Sequence, residues 1–298
     1  MRNLHNLFFQ ELALFWKTKI LPVLLVIILG LTAYGFISSY QYLGKTIEEL
    51  DAVKAEIAQM QLETEEILEI DISELEEYVI NALSTFHPNN GYKYALAILA
   101  TIGPILFGIA GALFIGTEYS NQTIKVKVSH FGLSNAVFAK ILALLASIIV
   151  SIALVFIAGL FASRIGWGLI TSQEAYSAFV CEADFNLNYR MLLTPLTGIA
   201  FYTYLAFFIA LISKKSTAGV IGVFIIPFAE QLLSLSFIPQ KLHLYLLNTT
   251  YQYFAGWIVS PSMLTTHVRT PTVGYYIFIV WLSVMVGASY AISKVQRN

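Results

Sequence analysis

Charge is scarce in this chain. Only 12% of its residues are Asp, Glu, Lys or Arg, about half of what a soluble domain carries. Hydrophobic residues make up 57%, and the mean hydropathy is +0.72. That much apolar surface has no place in one water-soluble core, so lipid must be the solvent for much of it. Cysteine is almost missing as well, with Cys181 standing alone. An internal disulfide is excluded, and no cysteine-based metal cluster can be assembled. The five histidines (His5, His87, His130, His243 and His267) are scattered and form no nucleophile–base pattern. There is no Gly-x-x-x-x-Gly-Lys-Ser/Thr run, because Lys214-Lys215-Ser216-Thr217 lacks the preceding glycines. The expectation is a chain that is not an enzyme, has no ATP site or other cofactor of its own, and has no nucleic-acid partner.

What the chain does have is long apolar runs. Crossing the hydrocarbon core takes roughly 20 apolar residues. Six segments qualify: 20–42, 94–117, 140–163, 192–212, 217–238 and 273–292. In lipid the backbone must satisfy its own polar groups, which makes these segments helices. The expected fold is all-α: a polytopic membrane protein with six transmembrane helices. No cleavage-site pattern follows the first run, which is long enough to span, so it reads as a retained helix and not a signal peptide.

The pieces between the spans carry the remaining information. In 1–19, Leu4, Leu7, Phe8, Leu12 and Phe15 recur at helical spacing, and Arg2, Asn3, Asn6, Gln10, Glu11 and Lys17 fill most other positions. This describes an amphipathic helix lying on the membrane surface, either a simple anchor or a lever touching a partner. Of the 18 acids, 12 fall between Glu48 and Glu77, opposed only by Lys54. Segment 43–93 is therefore an acidic, helix-favouring insertion, with a break and new N-cap at Asp71-Ile72-Ser73-Glu74 and a turn at His87-Pro88-Asn89-Asn90-Gly91. It reads as a solvated spacer, or as a surface that meets a cationic substrate or accessory protein. Segment 164–191 reads as a loop. Segment 239–272 is apolar but broken by Asn248, Thr249, Thr250 and Gln252, which suggests short re-entrant or interfacial helices before the last span.

Basic residues set the orientation. With the N-terminus inside, short cytoplasmic pieces hold ten: Arg2, Lys17, Lys19, Lys125, Lys127, Lys140, Lys214, Lys215, Lys294 and Arg297. The longer outer pieces hold seven. Both termini are expected in the cytoplasm and the acidic insertion outside. Within the spans, Gly108, Ala112 and Gly116 form one small-residue stripe, and Ala143, Ser147 and Ser151 form another. Such stripes let helices approach closely, here most simply within one subunit. Glu230-Gln231 follows Pro227 within the fifth segment. A carboxylate at that depth lines a path, braces the re-entrant segment against Lys241, or sits at an early span end. Tyr202 and Tyr204 are further candidates for the same path.

The polar loop 118–139 is the most informative stretch. It opens with Glu118-Tyr119-Ser120-Asn121-Gln122-Thr123 and continues with Lys125 and Lys127. Gly132-Leu133-Ser134-Asn135 looks like a turn followed by an N-cap, leading to Lys140 at the third span. Taken alone, this could be an ordinary connection whose lysines satisfy the topology rule. The order of features, however, resembles the permease subunits of type 2 ABC exporters. In that family the loop opens with Glu-aromatic-x-x-Gly-Thr and closes near a Lys entering the third span. Glu118, Tyr119, Thr123 and Lys140 match; Gln122 replaces the usual Gly, and Ser134 and Asn135 stand where an Arg is common. Permeases for bacitracin-like or lantibiotic peptides are the nearest subgroup, which would imply antimicrobial peptide resistance.

The resemblance implies a coupling helix docked in a groove of a separate ATPase subunit, which would bind the ATP and Mg. It implies ATPase-coupling roles for Glu118, Tyr119, Thr123, Lys125, Lys127, Ser134 and Lys140, together with Glu11 of the N-terminal helix. Glu118 and Thr123 would brace the helix, and Lys125 and Lys127 would meet acids of the groove. Glu230, Gln231, Tyr202 and Tyr204 would line the translocation path. The implied partners are ABC ATPase subunits, a second or related permease, membrane lipid and a hydrophobic or peptide substrate; the implied place is a bacterial plasma membrane. Two other readings stay open. A secondary transporter or channel would need several buried charges along one path. A non-transporting scaffold would bind a partner through the acidic insertion and tolerate charge changes in the loop.

Overall fold

A computed structural model describes residues 2–64, 73–172, 189–236 and 271–295. Among them every regular element is an α-helix: α1 (Arg2–Lys17), α2 (Ile20–Thr64), α3 (Ser73–Phe86), α4 (Gly91–Ser120), α5 (Thr123–Phe131), α6 (Leu133–Thr171), α7 (Tyr189–Ser213), α8 (Ser216–Ser236) and α9 (Pro271–Val295). Five stretches are long and apolar enough to cross a membrane: Ile20–Met60, Gly91–Ser120, Leu133–Thr171, Met191–Ser213 and Tyr276–Lys294. Their outer surfaces are apolar too, with Val26 71%, Phe161 61% and Ile279 53% exposed. A water-soluble protein would not present such a surface, and lipid satisfies it. The protein is therefore a multi-pass, all-α membrane protein.

Segment 217–238 corresponds to α8, a 21-residue helix over Ser216–Ser236. The expected re-entrant helices of 239–272 lie almost wholly outside the described residues, as does 173–188 of the 164–191 loop. The start of that loop is helical, since α6 runs unbroken to Thr171.

The chain divides into two compact units. The first comprises Met1–Ile28, Ala97–Leu154 and Asn188–Asn298. Within it α7 packs on α8 and α9, with Phe201 edge-on to Phe278 at 5.7 Å. The small-residue stripe of α4 serves close packing inside the chain. Gly108 lies against Val223 and the Tyr202 carbonyl, and Gly116 lies against the Ser216 backbone. Gly111 faces the Thr203 carbonyl, and Gly219 of α8 closes on Ala112 and the Ala206 carbonyl. The α6 stripe is buried, with Ser147 donating to the Ala143 carbonyl at 2.8 Å and Ser151 to the Ser147 carbonyl at 2.7 Å. These bonds satisfy each hydroxyl on its own helix, which a lipid environment demands.

The second unit comprises Leu29–Leu96 and Val155–Leu187. Here α2 carries straight through the position expected to end the first span, so the apolar and acidic segments form one 45-residue helix. Nothing in 43–64 breaks it, because Glu, Lys, Gln, Leu and Ala all favour helix. The next helix, α3, starts at Ser73, and Lys54 of α2 pairs with Glu76 of α3 at 2.7 Å. That pair is well exposed and contributes at most about 1 kcal/mol. The firmer tie is Tyr94, whose hydroxyl bonds Ser39 at 2.8 Å and the Gly35 carbonyl at 3.2 Å. Around it Phe36 packs edge-on to Tyr94 and Phe86.

The glycine contacts generate a prediction. A methyl group added at Gly219 would sit 2.5 Å from the Ala206 carbonyl oxygen, and one at Gly111 would sit 2.7 Å from that of Thr203. Gly219→Val and Gly111→Val should each lose about 1–3 kcal/mol of stability. Gly30→Ala, with nothing within 4 Å of the added carbon, should be near neutral. Thermal unfolding of the detergent-purified protein distinguishes them.

Candidate functional site

The loop after α4 folds as a short helix, α5, held between two residues of positive φ. Gln122 precedes it with φ 57°, and Gly132 follows it with φ 79°. Thr123 donates its hydroxyl back to the Glu118 carbonyl at 3.5 Å, and Lys125 bonds the Gln122 side-chain oxygen at 3.3 Å. The expected N-cap at Ser134 or Asn135 is not where α6 begins. Gly132 makes the turn, α6 starts at Leu133, and Asn135 reaches back to the Phe131 carbonyl at 2.9 Å. Glycine takes positive φ without a Cβ penalty, so the junction falls on it. Ser134 lies half-buried in the first turn of α6.

Four charged residues from four helices converge beside this loop. Glu11 of α1 accepts from Lys127 of α5 with one carboxylate oxygen and from Lys140 of α6 with the other, each at 2.6 Å. Glu118 of α4 accepts from both lysines with its Oε1, at 2.9 Å from Lys140. Glu11 and Lys140 are fully buried, Glu118 is 5% exposed, and the Lys127 side chain retains 22%. Two carboxylates meet two ammonium groups, so the group is neutral as a set. The Lys140 ammonium also sits 3.9 Å from the centre of the Phe114 ring. Phe114 in turn packs on Phe15 of α1, with ring centres 4.6 Å apart.

Burial of an ion costs several kcal/mol unless partners replace its water. Here each charge has two opposite charges in reach, and the set is held as a unit. Burial alone would lower the Lys127 pKa, but its hydrogen bonds to Glu11 and Glu118, and their charges, outweigh this and hold it above the ordinary lysine value. Two polar atoms stay unmatched: Glu118 Oε2 and the Tyr119 hydroxyl are buried with no hydrogen-bond partner among the described residues.

Of the residues expected to act in coupling, Glu11, Glu118, Lys127 and Lys140 are brought together. Lys127 meets Glu11 and Glu118 of its own chain. Tyr119 and Lys125 instead line a separate groove of about 450 Å³ with Gln122, Ile124, Val128, Leu133 and Lys214. Lys214, which in the sequence bears only on topology, joins this groove from the turn between α7 and α8, where its φ is 58°. Tyr202 and Tyr204 are each 5% exposed, and Tyr204 donates its hydroxyl to the Ile141 carbonyl at 2.9 Å. Both sit in packing between helices. Glu230 and Gln231 lie on α8, with side chains outside the description, and Lys241 lies outside the described residues altogether.

The sequence pattern puts Glu11 among the polar positions of α1. The structure corrects this, because Leu7, Glu11 and Phe15 are all at most 1% exposed and share one face. Their spacing of four residues is the available signal. Fold and cluster together define a multi-pass helical membrane protein with an ionically tied loop helix. Comparison with protein-family models, curated proteins and solved structures finds no match.

Removing one member leaves the others unbalanced. Lys140→Met should cost about 3–5 kcal/mol. In a double-mutant cycle, Glu11→Gln with Lys140→Met should lose less than the sum of the single changes, whereas additivity would show that the two do not interact. Lys127 gives a pH prediction. Its raised folded-state pKa adds stability that is fully present below the ordinary lysine value of about 10.4. That stability is lost as pH rises through the folded value. The stability difference between wild type and Lys127→Met should therefore stay flat from neutral pH to about 10 and shrink above it.

Proposed function

We propose that this chain is the transmembrane permease subunit of an ATP-driven ABC exporter in a bacterial plasma membrane. In this reading it has six spans, both termini in the cytoplasm and re-entrant helices in 239–272. It moves an amphipathic peptide or lipid-like substrate outward, and a separate ATPase subunit that binds ATP and Mg supplies the energy. Two permeases, identical or related, pair with two ATPase subunits.

The observation that carries the reading is the tie between α5 and its neighbours. Lys127 of α5 is bonded to α1 through Glu11 and to α4 through Glu118, and both carboxylates hold Lys140 of α6. A push on α5 therefore moves α1, α4 and α6 as one rigid group, which is the form two-state gating takes. The groove beside α5 offers a place for the pushing partner. Lys125 and Lys214 line it, and no carboxylate does among the described residues. It suits acidic side chains of an ATPase surface.

The test is co-purification from native membranes, followed by ATP hydrolysis. Glu118→Arg would break the cluster itself, so Lys125→Glu with Lys214→Glu is the cleaner variant. Wild type should bring down an ATPase subunit, and the double variant should lose it or uncouple hydrolysis while melting like wild type. Wild type purifying alone from intact membranes would sink the exporter reading and turn attention to the acidic insertion as a scaffold surface.

A further inference from the structure

A second cavity lies along the start of α2. It is a groove of about 350 Å³ with Val23, Leu24 and Ile27 on one side and Leu106, Ile109 and Leu113 of α4 on the other. On each helix these residues are spaced three or four apart or adjacent, so each set forms a stripe on one face. At 1.5 Å per residue the α4 stripe is about 10 Å long. The lining is apolar except at the α1–α2 connector, where Thr18 and Lys19 join it. Thr18 commits its hydroxyl hydrogen to the Phe15 carbonyl at 3.0 Å. Lys19 is exposed, and among the described residues no carboxylate pairs with it. Its φ is 62°, a conformation glycine adopts at least cost. The nearby Trp16 is 42% exposed and Lys17 is exposed, the pattern of a residue group at a membrane interface.

We propose that this groove is a binding site for an anionic glycerophospholipid. The phosphate meets the Lys19 ammonium, and one acyl chain lies along the stripes of α2 and α4. The groove matches an amphiphile because its one cationic end is continuous with an apolar wall. A soluble phosphate would leave that wall unused, and a zwitterionic lipid would bring its own cation to Lys19. The site also has a structural consequence. Lys19 closely follows α1, so a headgroup held there fixes the end of the helix that carries Glu11. The proposal rests on membrane embedding and is independent of the exporter reading.

Native mass spectrometry of the full-length protein in mild detergent tests it, with phosphatidylglycerol and phosphatidylcholine of matched chains added in equal amounts. Wild type should retain phosphatidylglycerol roughly fivefold over phosphatidylcholine, the value of one lysine near a charged surface. Lys19→Gly keeps the backbone in its preferred conformation and should abolish that preference without lowering the melting temperature. Val23→Trp, at a 55% exposed position, should fill the groove and lower retention of both lipids. Equal retention of the two lipids by wild type would overturn the proposal, as would a preference that survives Lys19→Gly. If Val23→Trp leaves lipid retention unchanged but removes a dimer mass, a second copy of the chain covers the groove, which also overturns it.

Discussion

Charge balance in a place without water is the constraint on which this structure depends. A single lysine or glutamate at the Glu11 or Lys140 position would cost several kcal/mol. Two of each, sharing bonds in alternation, make the site tolerable and give it geometry. Apolar burial of Leu7 and Phe15 supplies adhesion between α1 and the rest of its unit, roughly 1.5–3 kcal/mol for each side chain. The ionic bonds supply register, since only one placement of α1 puts Glu11 between Lys127 and Lys140. Adhesion without register would leave α1 free to slide along the apolar surface. These bonds join four separate helices at one point.

Much of this is legible in the chain, and the misses have physical causes. The long apolar runs announce the helices because lipid permits little else. The loop stands out because polar residues between such runs are rare. The end of the first span is less legible. The residues after 42 change from apolar to acidic without ceasing to favour helix, so composition shifts where the backbone does not. Glu11 is easily misplaced because its charge suggests a wet face, whereas its spacing from Leu7 and Phe15 suggests a dry one. Spacing is the better guide, since only the fold reveals a partner as distant as Lys140. The pairing of Lys127 within the chain is likewise hidden, because a lysine in a loop looks free until its partners are placed.

Backbone conformation adds a second layer. The positive-φ residues Lys19, Gln122, Gly132 and Lys214 all fall in short connectors between helices. Three of the four are not glycine. Gln122 takes the left-handed conformation that glycine favours. Glutamine at this position makes the turn and adds a side chain that accepts from Lys125. Tight turns of this kind keep the connectors short, which is how charged residues from different helices come within reach of one another.

The ionic cluster also imposes an order on biosynthesis. Glu11 and Lys140 are 129 residues apart. At about 5–20 residues per second, roughly 6 to 26 seconds separate their synthesis. During that interval α1 carries a carboxylate whose buried partner has not yet been made. It can rest on the membrane surface with Glu11 in water, but it cannot take its final seat. The N-terminal helix thus cannot dock in its final place before α4, α5 and the start of α6 have been made.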